Sequence, residues 1–159
     1  MRVQYPVLIE DDTSGFVPDL PVIVVAGEGR DEILRLASEA IALRLYDLER
    51  DGEEWPTPSP VESIECEECE EPWEVVLVEP AEVNPVSLRL ADAIQSARLT
   101  KAEVARRLGV SRQSIHRLTD PFYFNHNMRS LDRVAEVLGL GVQVSFPKRS
   151  QGRVGPQFR

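Results

Sequence analysis

Lys101-Ala102-Glu103-Val104-Ala105-Arg106-Arg107-Leu108-Gly109-Val110-Ser111-Arg112-Gln113-Ser114-Ile115-His116-Arg117-Leu118 is the stretch whose reading decides how the second half of the chain folds. Thr100, just before it, and Glu103 have the three-residue spacing of a capping box, which predicts a helix start. Ala105 is small where a second helix must cross closely. Gly109 supplies a turn, and Ser111 is placed to cap the next helix. Val104, Leu108, Val110, Ile115 and Leu118 then fall on the shared apolar side of the two helices.

This arrangement resembles the helix-turn-helix of Cro/repressor-type DNA-binding proteins, over roughly residues 86–140. An ordinary helical hairpin is the plainer alternative. If the resemblance holds, Ser111 to Thr119 is the recognition helix, and its first residues enter the major groove. Arg112, Gln113 and Arg117 are polar where the core needs nothing. Arginine suits the guanine O6/N7 edge and glutamine the adenine N6/N7 edge. Ser111 and Ser114, at the helix start, suit phosphate oxygens. Thr100 and Lys101 open the supporting helix, which crosses the backbone. His116 reads equally well as a surface residue or a contact.

The flanks extend the helical pattern. Val86, Leu90, Ala93, Ile94 and Ala97 share one face of a helix from Pro85 to Ala97. Phe122-Tyr123-Phe124-Asn125-His126-Asn127 is expected to pack beneath the recognition helix rather than offer a stacking platform. Leu131, Val134, Ala135 and Leu138 face inward from a helix over 129–138. Val142-Gln143-Val144-Ser145-Phe146 alternates as a lone strand. Without a ladder partner in a helical domain, it should pair through Val142, Val144 and Phe146 with a second copy, giving a homodimer or a tetramer. Lys148, Arg149, Arg153 and Arg159 mark a basic tail over 147–159, expected to be disordered.

The first half reads differently. Val3, Tyr5, Val7 and Ile9 alternate as a strand. Asp12 to Gly15 turns the chain into a short strand that Pro18 limits. Val22 to Val25 is a continuous β-branched run, which predicts a strand covered on both faces. Ile33, Leu34, Ala37, Ile41, Leu45 and Leu48 form the stripe of a helix over 30–50 that Asp51-Gly52 ends. Trp55-Pro56-Thr57-Pro58-Ser59-Pro60 cannot join a ladder. Val75 to Val78 is the last strand.

Tyr5-Pro6-Val7, Gly15-Phe16, Pro18-Asp19-Leu20-Pro21, the Leu/Ala-rich helix and Gly52 through Trp55-Pro56-Thr57-Pro58-Ser59 resemble the N-terminal domain of HicB antitoxins, over residues 1–80. The resemblance implies a truncated, non-catalytic ribonuclease H-like fold that binds HicA, a small basic ribonuclease cleaving messenger RNA. The second domain would then bind the operator of its own operon. Val22 departs from the family, which commonly carries glycine after Pro21, and the connection from Asp11 to Gly15 is short. The expected class is α+β: a three-to-four-stranded sheet with one helix over 1–80, an acidic insert at 62–74, a linker at 81–85, a helix-turn-helix domain over 86–146 ending in a dimerisation strand, and the tail.

Charge divides at the same place. Residues 1–85 hold five Arg and no Lys against twenty-two Asp and Glu, a net −17. Residues 86–159 hold thirteen Lys and Arg against five acids, a net +8. The whole-chain value of −9 therefore hides a module suited to nucleic acid beside one suited to a basic protein. Asp11, Asp12 and Asp19 are the candidate toxin-facing carboxylates.

With Glu10 these acids also invite a metal-dependent nuclease reading, but three are consecutive and point in different directions. No catalytic residue is expected. Cys66 and Cys69 make a single C-x-x-C among seven glutamates, short of the four ligands of a structural zinc site. No cofactor or metal is expected. Two cysteines form no disulfide framework, Met1 to Pro6 is no secretory signal, and no run reaches the roughly 18–20 apolar residues of a membrane span. The cytoplasm is the expected compartment. A free-standing repressor with a small-molecule-sensing first domain remains the alternative from another class.

Overall fold

The computed structural model describes residues 3–11, 13–65 and 73–146. Asp12, the acidic stretch 66–72 with Cys66 and Cys69, and the basic tail lie outside the described residues, as does the side chain of Asp11. The chain divides between Glu82 and Val83 into two compact units.

The first unit is a four-stranded antiparallel sheet with one long helix. Its strands are β1 (Tyr5–Asp11), β2 (Ser14–Phe16), β3 (Val24–Ala26) and β4 (Glu74–Val78), in the order β3-β2-β1-β4. Helix α1 (Arg30–Asp51) follows β3. Alternation along β1 sends Tyr5, Val7 and Ile9 into a core with Ile33, Ala37, Ile41, Leu45 and Leu48 of α1. Leu34 sits at the margin of this stripe, half-buried. Pro6 is tolerated in a central strand because β2 pairs only with Leu8 to Asp11, so β1 has a ladder neighbour on one side there. Gly15 marks a close approach: a Cβ there would lie 3.0 Å from both Ile33 Cγ2 and the Leu8 carbonyl oxygen.

The expectation that Val22 to Val25 forms a doubly covered strand is corrected. Val25 is buried, but Val24 is 74% exposed and Val22, in the preceding turn, 80%. β3 is an edge strand, and α1 packs against the face that carries Val25. A β-branched run cannot by itself report how many faces will be covered.

The proline-rich segment after α1 is irregular, as three prolines require, yet it is held at three points. The Tyr5 hydroxyl donates to the Pro56 carbonyl at 2.7 Å. Trp55 Nε1 donates to the Leu45 carbonyl at 3.2 Å. Asp19 accepts from both the Ser59 amide at 2.9 Å and the Ser59 hydroxyl at 2.6 Å. Burial first, and then the nearby Asp19 carboxylate, push the Tyr5 phenol up to about 12.

The second unit is helical: α2 (Pro85–Ser96), α3 (Lys101–Leu108), α4 (Arg112–Leu118) and α5 (Met128–Val137). Leu90, Ile94, Val104, Ala105, Ile115 and Val134 form its core. The expected inward face of α2 is corrected at both ends: Ala97, past the end of the helix, is exposed. Val86 is 39% exposed, whereas Ser87 is fully buried, its hydroxyl near His126 Nε2 at 3.3 Å. The segment read as a linker is engaged at both ends: the Ala81 amide donates to the Ser38 carbonyl, and Asn84 caps α2. Residues 139–146 carry no strand in this single chain, and Leu140, Val142, Val144 and Phe146 are exposed.

Candidate nucleic-acid interface

The turn between α3 and α4 follows from local chemistry. Thr100 accepts the Glu103 amide at 3.2 Å while Glu103 accepts the Thr100 amide at 2.9 Å, closing the capping box. The Thr100 hydroxyl also donates to Glu103, so both Thr100 donors are used within the cap. These contacts, the backbone amide first, hold the Glu103 carboxyl below its ordinary range. Gly109, with φ of 68°, ends α3 in the left-handed conformation that a glycine adopts at least cost. Ser111 then caps α4 by accepting the Ser114 amide at 3.1 Å.

Ile115 is buried in the core and Leu118 half-buried against it, which leaves Arg112, Gln113, His116 and Arg117 exposed on the other side of α4. Ser111 and Ser114 share a hydrogen bond between their hydroxyls at 2.8 Å. That bond uses one hydroxyl proton and leaves one for an outside acceptor. Lys101, half-buried at the start of α3, lines with Gln113, Ser114, His116 and Arg117 an open cleft of about 670 Å³. Lys101 and the expected contacts of α4, other than Arg112, thus border one concavity, whose side chains offer hydrogen-bond donors and the positive charges of Lys101 and Arg117, with Asp120 as its one acid.

Sequence reasoning missed what stands behind this surface. Asn84 Nδ2 donates to the Tyr123 carbonyl at 2.8 Å and to His126 Nδ1 at 3.2 Å. His126 Nε2 lies 2.8 Å from the Leu118 carbonyl oxygen. A carbonyl only accepts, so the proton sits on Nε2, and Nδ1 is free to accept from Asn84. Asn84 before Pro85 was readable as a helix cap. Its link to His126, 42 residues away, had no local signal.

The family described as HicB_like antitoxin of bacterial toxin-antitoxin system matches residues 5–114, from β1 to the first turn of α4. The chain belongs to this HicB-like family. Two relatives from Photorhabdus laumondii are similar along most of their length. Antitoxin HicB 2 is 30% identical over 140 residues, covering 86% of this chain and 89% of that protein. Antitoxin HicB 1 is 29% identical over 151 residues, covering 91% and 88%. A solved toxin-antitoxin complex from Streptococcus pneumoniae shares 22% identity and a TM-score of 0.41, over 72% of this chain and 93% of that one.

Membership in an antitoxin family points to a regulatory role rather than a catalytic one. Within this HicB-like chain, Asp19 sits in the turn before β3 with both carboxylate oxygens on Ser59. Asp11 ends β1, opposite Ser14. Among the described residues no group of three or more His, Cys, Asp or Glu is placed to hold a metal ion, and no helix is long and apolar enough to cross a membrane.

Proposed function

We propose that this chain is the antitoxin of a toxin–antitoxin pair, acting through two modules. The acidic unit, read as a truncated ribonuclease H-like domain, binds and occludes a HicA-type ribonuclease that cleaves messenger RNA. The helical unit binds the operator of its own operon and represses it. The observation that carries this reading is the joining of a net −17 module to a capped helix-turn-helix with Arg112, Gln113 and Arg117 exposed along one side. Opposite charge steers a basic, RNA-binding partner toward the first module and keeps that module away from DNA.

Asp11, Asp12 and Asp19 are the proposed toxin-facing acids, with Asp19 contributing chiefly its charge because its oxygens are already on Ser59. Lys101, Ser111 and Ser114 hold phosphates, while Arg112, Gln113 and Arg117 read bases. Thr100 serves by fixing the start of α3. Val142, Val144 and Phe146, exposed at 36%, 53% and 93%, pair with a second copy to form the homodimer. Two recognition helices then face successive major grooves, so the operator carries inverted repeats about 34 Å apart.

The test expresses the full chain with the small basic protein encoded beside it. Co-purification, loss of that protein's RNA cleavage, and a specific shift of the operon's own promoter DNA are expected. A neighbour that cleaves RNA undiminished in the presence of excess chain would overturn the toxin half. A chain that prefers no segment of its promoter would overturn the operator half.

A further inference from the structure

Arg117 is not a free surface arginine. Its guanidinium carbon lies over the ring of Tyr123, 5.5 Å from the centroid. That ring is itself fixed from several directions. The Tyr123 amide donates to the Asp120 carbonyl at 3.1 Å, and its hydroxyl donates to the Asn125 carbonyl at 3.0 Å. Its carbonyl accepts from Asn84 Nδ2 at 2.8 Å. Its ring meets that of His126 edge-on, with centroids 5.1 Å apart and planes inclined by 65°. His126 is locked in turn by the Leu118 carbonyl and by Asn84, which is 7% exposed.

We propose that Tyr123 is a positioning residue for DNA recognition: it holds the Arg117 guanidinium on a rigid plate before DNA arrives. This rests on the operator-binding reading above and adds to it a residue that does not itself touch the bases. The physical ground is entropy. A long arginine side chain loses rotamer freedom when it docks, and a guanidinium held over an aromatic ring has surrendered part of that freedom in advance. A contact through the ring face consumes none of the N–H donors of the guanidinium, so they stay available for two acceptors on a base edge. The alternative is that the ring parks Arg117 away from DNA, and the two readings predict opposite signs.

A double-mutant cycle on the full chain decides between them. Tyr123→Phe, Tyr123→Leu, Arg117→Ala and the Tyr123→Leu/Arg117→Ala pair are titrated against operator and scrambled duplexes, with a thermal melt of each variant. Tyr123→Leu is expected to weaken operator binding about two- to fivefold, the range of an exposed cation–π contact, with a smaller effect on scrambled DNA. Tyr123→Phe should stay near the parent, because the ring remains. In the Arg117→Ala background, Tyr123→Leu should change nothing further.

Equal losses in both backgrounds would mean that Tyr123 acts through the fold, and tighter operator binding would mean that it parks the arginine. Either result overturns the proposal, as does a Tyr123→Phe variant as weak as Tyr123→Leu. If Tyr123→Leu does not fold, Nε–H relaxation of Arg117 in the unaltered chain decides instead. Motion restricted relative to the exposed Arg129 supports positioning, and equal motion overturns it. A parent chain that fails to prefer operator over scrambled DNA defeats the operator reading itself, and this proposal with it.

Discussion

At the scale of single residues, the chain's local contacts and its distant ones were unequally visible. The Thr100–Glu103 box and the Ser111 cap were legible because donor and acceptor stand three positions apart. Asp19 reads from sequence as a toxin-facing charge, since a carboxylate in a proline turn carries no sign of a partner 40 residues ahead. Tyr5 reads as an inward position of a strand and as part of the Tyr5-Pro6-Val7 motif, and its hydroxyl is silent in both. That hydroxyl yields a pH dependence. The folded phenol titrates near 12 against an ordinary 10.0, so the folded state keeps the proton longer. The stability this contributes is complete below pH 10 and is lost as pH rises through the folded value. In melts from neutral pH upward, Tyr5→Phe should begin less stable for want of the Pro56 bond. Its deficit against the parent should then shrink above pH 10; a constant gap would count against this. On α4, Arg112→Ala or Gln113→Ala should cost about 1–3 kcal/mol of operator binding and relax preference at one or two base pairs. Lys101→Ala should instead weaken operator and scrambled DNA alike and reduce the salt slope by roughly one. Equal losses on both duplexes for the α4 variants would show that this helix does not read bases.

Elements were legible to the extent that their reasons are periodic. Helix α1 has its stripe of Ile33, Ala37, Ile41, Leu45 and Leu48, and it ends at Gly52 where the sequence has its stop signal. The face of α2 was misjudged because a buried serine breaks no apolar pattern until His126 arrives beside it. The coverage of β3 was misjudged because it depends on whether another layer exists, a fact of topology. The capping box has its own titration: a carboxyl whose folded pKa is depressed stabilises above its unfolded value of 4.5, and this is lost as pH falls through the folded value. The segment 142–146 is the element that a second copy should complete. Val142, Val144 and Phe146 alternate in the sequence and are exposed in the single chain, where this segment carries no strand. Val144→Pro removes one ladder donor and should convert dimer to monomer in sedimentation, leaving the helices intact by circular dichroism. An unchanged oligomer would place self-association elsewhere.

For the whole molecule, the proposed division of labour follows the division of charge, and the chain separates at Glu82 into units that each contain a core. The charge split was plain from counting residues. Which part of the acidic unit meets the partner was not, because a count of twenty-two acids in 85 residues singles out no one of them. A fragment ending at Glu82 should fold and still silence the toxin, with affinity falling as salt rises. A folded fragment that leaves the toxin active at low salt would mean that the helical unit takes part in neutralisation. The anchoring of Trp55 on the Leu45 carbonyl has a practical sequel. Both tryptophans of the chain, Trp55 and Trp73, precede Val83. Tryptophan emission, excited at wavelengths that tyrosine does not absorb, therefore observes the acidic unit alone: occupancy by a partner can be followed there optically without a label, while the helical unit stays dark in that channel.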